Sequence, residues 1–136
     1  ASVLIGLARR MLDDTVAYVQ VREQFGRLIG SFQAVKHQIA DATARVTLAG
    51  FQVHAAAAKV ATGTDDALLS ALSARLVALD AEFESNRASL QLHGGIGFTW
   101  EHDLQHWLKK GKALEQAHGG RGEIADEIGA AVLAGL

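Results

Sequence analysis

The chain has 136 residues, which is long enough for one domain with a buried core. Its net charge is −2, with acids and bases mixed along its length. There is no basic stripe of the kind that holds phosphate backbones, which argues against nucleic acid as a partner, and no apolar run is long enough to span a membrane. The lack of cysteine excludes disulfides and thiolate chemistry and fits a cytoplasmic protein.

The absence of proline and a clear helical periodicity predict two long helices in the first half of the chain. The first is predicted from about Ser2 to Gly26, and the second from a cap at Ser31 to a stop at Gly63. The apolar face of the first contains Leu4, Leu7, Met11, Tyr18 and Phe25. In the second helix, apolar residues are spaced alternately four and three positions apart, a pattern typical of a helix in an antiparallel bundle. They are Val35, Ile39, Ala42, Val46, Ala49, Val53, Ala56 and Val60.

Three further helices are predicted in the second half. The third starts near Thr64–Asp66 and ends at Gly94, the fourth runs from about Trp100 to Ala117, and a short fifth follows a glycine-rich break. Their inward residues are predicted to be Leu69, Leu72, Leu76, Leu79, Phe83 and Leu90, then Leu104, Trp107, Leu108 and Leu114, then Ile124, Ile128 and Val132. The break consists of Gly119, Gly120 and Gly122. No segment alternates with period two, so the predicted fold is an all-α, up-and-down four-helix bundle with a short additional C-terminal helix and no sheet.

Two patterns invite a metal-site interpretation. His102 and His106 stand one helical turn apart, a spacing at which two histidines can share a metal, but the sequence nominates no further ligands. Glu115 and His118 form one Glu-x-x-His, whereas di-iron bundles use two such pairs and two further carboxylates. The sequence therefore predicts no metal site.

Two glycine-containing junctions are candidate ligand contacts. Gly94, Gly95 and Gly97 follow a helix, so they are not the strand-linked fingerprint of a dinucleotide fold; they either simply turn the chain or let its backbone approach an anion. The junction between the first two helices holds Arg22, Gln24, Phe25, Phe32 and Gln33. These side chains form either a solvated corner or a clamp for a phosphate and an aromatic ring.

Together, the two junctions resemble the C-terminal helical domain of the acyl-CoA dehydrogenase family. Residues 9–41 contain R-x-Q-F-G followed by F-Q-x-x-x-x-x-I-A-D, and residues 91–112 contain Q-x-x-G-G-x-G. The resemblance covers residues 1–136, with the family's N-terminal helical and middle β domains absent. Because the chain begins at Ala1 and not Met, it is expected to be a piece of a longer protein.

The resemblance implies an oxidoreductase of fatty acid or lipid catabolism that oxidises an acyl-CoA thioester to the 2-enoyl-CoA with FAD. Electron-transfer flavoprotein or another acceptor would reoxidise the flavin, and the protein would be a homo- or hetero-oligomer, typically a tetramer. Eight residues would face the FAD of a neighbouring subunit: Arg22, Gln24, Phe25, Ile29, Phe32, Gln91, Gly94 and Gly95. By this analogy Arg22 pairs with the pyrophosphate, and Gly97 turns the chain into the fourth helix. The isolated chain is expected to be inactive.

One position departs from the family pattern. The commonest catalytic base of the family is a glutamate just after the fourth helix, and His118 stands there instead, with Glu115 and Glu123 too far along the chain to replace it. His118 could act as the base, since imidazole has a suitable pKa. The base could also precede Ala1, or the chain could be the non-catalytic member of a heteromeric pair; the last two interpretations are favoured over the first.

Overall fold

The computed structural model describes residues 1–135 as a helical bundle around one central helix. The helices are α1 (Ser2–Val21), α2 (Gln33–Thr62), α3 (Ala67–His93), α4 (Leu104–Ala117) and α5 (Arg121–Leu133). Helix α3 packs against all four others, while α1 also contacts α2 and α4. The predicted all-α architecture is confirmed. No helix in residues 1–135 is sufficiently long and apolar to cross a membrane.

The prediction of no sheet was wrong at the first junction. Helix α1 ends at Val21 and not near Gly26, and a short antiparallel hairpin follows, made of β1 (Glu23–Gln24) and β2 (Arg27–Leu28). Strands of two residues are too short to show the alternation on which strand prediction depends. The hairpin therefore had no periodic signal in the sequence.

The predicted helix ends are partly correct. Gly63 and Gly94 are the C-caps of α2 and α3, with φ of 67° and 62°. Ser31 does not cap α2, because it lies in a 3₁₀ turn and its Oγ donates a hydrogen bond to the Leu28 carbonyl at 2.7 Å. Helix α4 begins at Leu104, later than the predicted Trp100.

The core is built from alanines and branched residues that leave room for close helix packing. Its apolar members include Leu4, Ile5, Ala8, Leu12, Ala42, Val46, Ala49, Val53, Ala56, Ala74, Ala78, Leu79, Ala81 and Ile124. The predicted seam of α2 is thus confirmed from residue 42 to residue 56. Four residues predicted to be inward are exposed instead: Phe25, Val60, Phe83 and Val132. Phe25 is in the hairpin loop, Val60 and Val132 are near helix ends, and the Phe83 ring lies 4.8 Å from the Arg121 guanidinium.

Buried hydroxyls fix α1 against α3 close to the first junction. Thr15 Oγ1 donates to the Met11 carbonyl at 2.7 Å and also lies 2.8 Å from Ser89 Oγ. Both side chains are fully buried, and their hydrogen bonds offset the cost of removing them from water. This contact sets the relative position of Tyr18 and His93, which lie one turn further along each helix.

Candidate functional site

The hairpin after α1 presents an exposed phenylalanine in a strained conformation. Its loop consists of Phe25 and Gly26, and both have positive φ, 54° and 74°. Positive φ at both positions is the signature of a type I′ turn, which suits the twist of two antiparallel strands. Such a conformation costs a non-glycine residue about 1–3 kcal/mol. Because the Phe25 side chain is 92% exposed, burial within this chain does not compensate for the strain.

Backbone and ring contacts hold the hairpin in place. The Arg22 N–H donates to the Tyr18 carbonyl at 2.9 Å, and the Arg22 carbonyl accepts from the Ile29 N–H at 2.8 Å. The Phe32 ring lies edge-on to Phe25 with 6.3 Å between centroids. The backbone of Arg22 is therefore held by hydrogen bonds on both sides, while its side chain is exposed to solvent.

A second glycine explains how the hairpin stays close to α1. A Cβ atom on Gly30 would lie 2.9 Å from the Val19 carbonyl oxygen, which is too close for any side chain without a backbone shift. Gly30 thus permits the 3₁₀ turn at Ile29–Ser31 to pack directly on α1. This packing brings Ile29 and Phe32 to the same end of the bundle as Arg22.

The glycine turn after α3 uses its three glycines in different ways. Gly94 has positive φ and ends the helix. Gly97 is buried in the 3₁₀ turn between α3 and α4, and a Cβ there would lie 3.1 Å from the Cβ of His93, so its small size allows close packing. Gly95 has neither positive φ nor any atom within 4 Å of a would-be Cβ. The packing of this chain therefore gives no reason for the missing side chain at Gly95.

The two junctions meet in one open groove of about 510 Å³. All eight residues that the resemblance assigned to FAD line it: Arg22, Gln24, Phe25, Ile29, Phe32, Gln91, Gly94 and Gly95. The groove also contains residues that were not assigned to it from the sequence, namely Tyr18, Ala34, Val35, Gln38, Leu92 and His93. Tyr18 precedes Arg22 by one helical turn, and this spacing was the available signal for it.

His93 is buried at the bottom of this groove, where its ring packs against two other aromatic rings. The Tyr18 ring stacks on it at 4.3 Å, and the His102 ring meets it edge-on at 4.5 Å. Because its Nδ1 lies 2.8 Å from the Ser89 carbonyl, which can only accept, Nδ1 carries the proton. Burial lowers the pKa of His93, which favours the neutral ring.

His102 and Glu115, one residue from each metal-like pattern, have other partners. Among residues 1–135, no group of three or more His, Cys, Asp or Glu side chains is placed to hold a metal ion. His102 Nδ1 accepts the Leu104 N–H at 3.2 Å and so caps α4. Glu115 forms ion pairs with Lys112 and Arg121, and the hydrogen bond from Lys112 is the main cause of its lowered pKa.

His118 is exposed at the end of α4, in a turn held by an arginine of α3. Arg75 Nη2 donates to the carbonyls of Leu114 and Gly119 at 3.1 and 3.2 Å. Gly119 has a φ of 83°, which lets the chain reverse into α5. The turn is thus well anchored, but no hydrogen bond within the described residues orients the His118 ring.

Known proteins and structures share this domain. The family described as "Acyl-CoA dehydrogenase, C-terminal domain" matches residues 1–134. Acyl-CoA dehydrogenase FadE34 of Mycobacterium tuberculosis is 40% identical over 138 residues, covering 100% of this chain and 19% of that protein. Acyl-CoA dehydrogenase IpdE2 of Mycolicibacterium smegmatis is 44% identical over 119 residues, covering 88% of this chain and 36% of that protein.

A solved structure supports the same assignment. The ChsE4-ChsE5 complex from Mycobacterium tuberculosis contains a chain that superposes with a TM-score of 0.88 at 32% identity, covering 98% of this chain and 36% of that one. The present chain spans 19% to 36% of these three proteins. From the match over nearly its whole length, the chain belongs to the acyl-CoA dehydrogenase family and corresponds to its C-terminal helical domain.

Proposed function

We propose that the full-length protein is an FAD-dependent acyl-CoA dehydrogenase, and that this domain completes the FAD site of a neighbouring subunit and contributes to oligomerisation. The observation that carries the proposal is the groove in which all eight assigned residues meet. They come from two stretches far apart in sequence, 22–32 and 91–95, so their convergence is a property of the fold. The same proposal includes a cytoplasmic tetramer and a longer chain that supplies the remaining domains.

The chemistry of the groove fits the adenosine-diphosphate half of FAD. Arg22 offers an exposed guanidinium fork, the group best suited to bind a diphosphate through paired hydrogen bonds. Ile29 and Phe32 are half-buried and form an apolar wall against which an adenine ring can stack. The amides of Gln24 and Gln91 supply both donors and acceptors.

The open glycines and the exposed phenylalanine support a contact with another chain. Nothing in this chain lies within 4 Å of a would-be Cβ at Gly94 or Gly95, so ligand atoms can approach the backbone there. Phe25 is strained and exposed, a combination that is common where binding compensates the strain. Both features face the groove and not the bundle core.

The division of labour follows from what this domain contains. Bound FAD would supply the hydride acceptor for α,β-dehydrogenation of an acyl-CoA thioester, and electron-transfer flavoprotein or another acceptor would then take the electrons. The residues of this domain bind and orient the cofactor, and the α-proton is removed by a base outside residues 1–135. His118 stands where the commonest base of the family is a glutamate, and within the described residues no hydrogen bond orients its ring.

His118 also favours a second candidate function, that of a non-catalytic assembly domain in a heteromeric dehydrogenase. In that case the groove would complete the FAD site of a catalytic partner chain, while the local active site would lack its base. The similar structure from Mycobacterium tuberculosis is itself a complex, ChsE4-ChsE5. The two candidates share the groove and differ in whether the parent protein is active alone.

The visible spectrum of the purified full-length protein separates the candidates. We expect bound flavin that bleaches when acyl-CoAs with linear, branched or steroid-bearing acyl groups are added without oxygen. Flavin that stays oxidised with every substrate, but bleaches once a partner subunit is supplied, would favour the assembly role. Full-length protein that holds no flavin, alone or with a partner, would contradict both candidates.

A further inference from the structure

A carboxylic acid is buried where α3 meets α4. Glu82 is 7% exposed, and its carboxyl group lies directly over Gly111. A Cβ atom on Gly111 would lie 2.1 Å from Glu82 Oε1 and 2.9 Å from Oε2. The carboxyl group therefore occupies the space that any side chain at position 111 would need, and the two helices approach through this contact.

The carboxyl group of Glu82 lacks an ion-pair partner although cations are near. The charged groups that face it are Lys112 and Glu115 from α4 and Arg121 from α5. Glu115 engages both cations, with 2.8 Å to Lys112 Nζ and 3.4 Å to Arg121 Nη1. Glu82 Oε1 is buried without a hydrogen-bond partner. Arg121 Nε also pairs with Asp80 Oδ1 at 2.8 Å, so the two cations near Glu82 are already engaged by Glu115 and Asp80.

We propose that Glu82 is a proton-operated latch between α3 and α4. As the neutral acid, Glu82 packs against Gly111, and Lys112 remains in its ion pair with Glu115. When Glu82 releases its proton to solvent, a buried anion forms that competes with Glu115 for the same cations and loosens α4. Because Arg75 ties the end of α4 to the turn that carries His118, this turn loosens with the helix.

The direction in which pH changes the stability of the contact between α3 and α4 follows from the burial of the Glu82 carboxyl group. Burial raises the pKa of Glu82, and the nearby Lys112 and Arg121 offset part of that rise. The folded protein therefore keeps this proton in a pH range where the unfolded chain has lost it. The stabilisation of the fold by protonated Glu82 is complete below the pKa that this carboxyl group has in the unfolded chain. It is lost as pH rises through the higher pKa that Glu82 has in the folded state.

Hydrogen–deuterium exchange of the full-length protein tests the latch. We expect the protection of amides in residues 104–117, corrected for intrinsic exchange, to fall about tenfold or more between about pH 5 and about pH 9. Glu82→Gln keeps the shape but cannot ionise, so its protection should be independent of pH. Glu82→Met, which is also neutral and of similar length, should give the same flat profile.

Glu84→Gln is the matched control, since it removes an acid two residues away on the same helix that pairs with Arg87 and not with the cations near Glu82. It should retain the pH dependence of α4, because Glu82 can still ionise. A pH dependence that persists in Glu82→Gln, or one that disappears in Glu84→Gln, would overturn the latch. Equal protection of α4 at both ends of the pH range in the unaltered protein would overturn it as well. None of these outcomes depends on the proposed flavin function.

Discussion

Arg22→Ala in the full-length protein is expected to weaken FAD binding by about tenfold to a hundredfold while leaving the bundle folded. A charge-assisted hydrogen bond contributes about 1.5–3 kcal/mol, which corresponds to that range of affinity. The fold should persist because the bonds that fix this residue, to Tyr18 and from Ile29, use only backbone atoms. The measurement is a flavin titration of deflavinated protein, with far-UV circular dichroism as the check on folding.

Two further variants distinguish the guanidinium fork from simple charge. Arg22→Lys keeps the charge but loses the paired donors, so its affinity should fall between those of the unaltered protein and Arg22→Ala. Arg10→Ala removes another exposed arginine, which lies in α1 and pairs with Asp14 outside the groove, and it should leave FAD affinity unchanged. Equal affinities for Arg22→Ala and Arg10→Ala would refute the assigned role of Arg22.

Leu79→Ala should produce the largest loss of stability, about 2–5 kcal/mol in the free energy of unfolding. Leu79 is 1% exposed in the middle of α3, the helix that packs against all the others. Its truncation leaves a cavity in the core cluster, which includes seven alanines. Urea denaturation of the 136-residue chain, followed by circular dichroism, measures the change.

Leu68→Ala is the matched control on the same helix. The Leu68 side chain is 69% exposed, so its truncation should change the free energy of unfolding by no more than about 0.5 kcal/mol. A loss below about 1 kcal/mol for Leu79→Ala would show that α3 does not hold the core together in the way its burial indicates.

The helices were predictable because their apolar residues repeat over many turns. The seam of α2 continues for four turns of buried residues, and Gly63 and Gly94 stop their helices as their positive φ requires. The hairpin was not predictable, because its strands have two residues each and nothing in the sequence indicates positive φ at Phe25. Exposure was misjudged where an apolar residue near a helix end extends the periodic pattern beyond the core, as Val60 does.

Residue types marked each junction as a candidate ligand contact, but only the resemblance to a family assigned both junctions to one site. Periodicity placed each junction at a helix end but left their spatial relation open; the packing of α1 on α3 then brings both to one groove. His93 was not assigned to the groove, since a histidine at a helix end has several ordinary roles. The contact between Glu82 and Gly111 joins residues of two helices, and no pattern in a single sequence reveals such a pair.

A photoreactive FAD carrying an azido group on the adenine ring would test most directly whether this groove holds the adenosine half of the cofactor. The analogue would be bound to the full-length protein, irradiated, and the labelled peptides identified by mass spectrometry. We expect the label in residues 22–38 or 91–95. In oligomers mixed from isotopically light and heavy subunits, we expect the labelled residues to belong to a different subunit from the one that holds the flavin ring. Label confined to peptides outside these two stretches would contradict the proposed site.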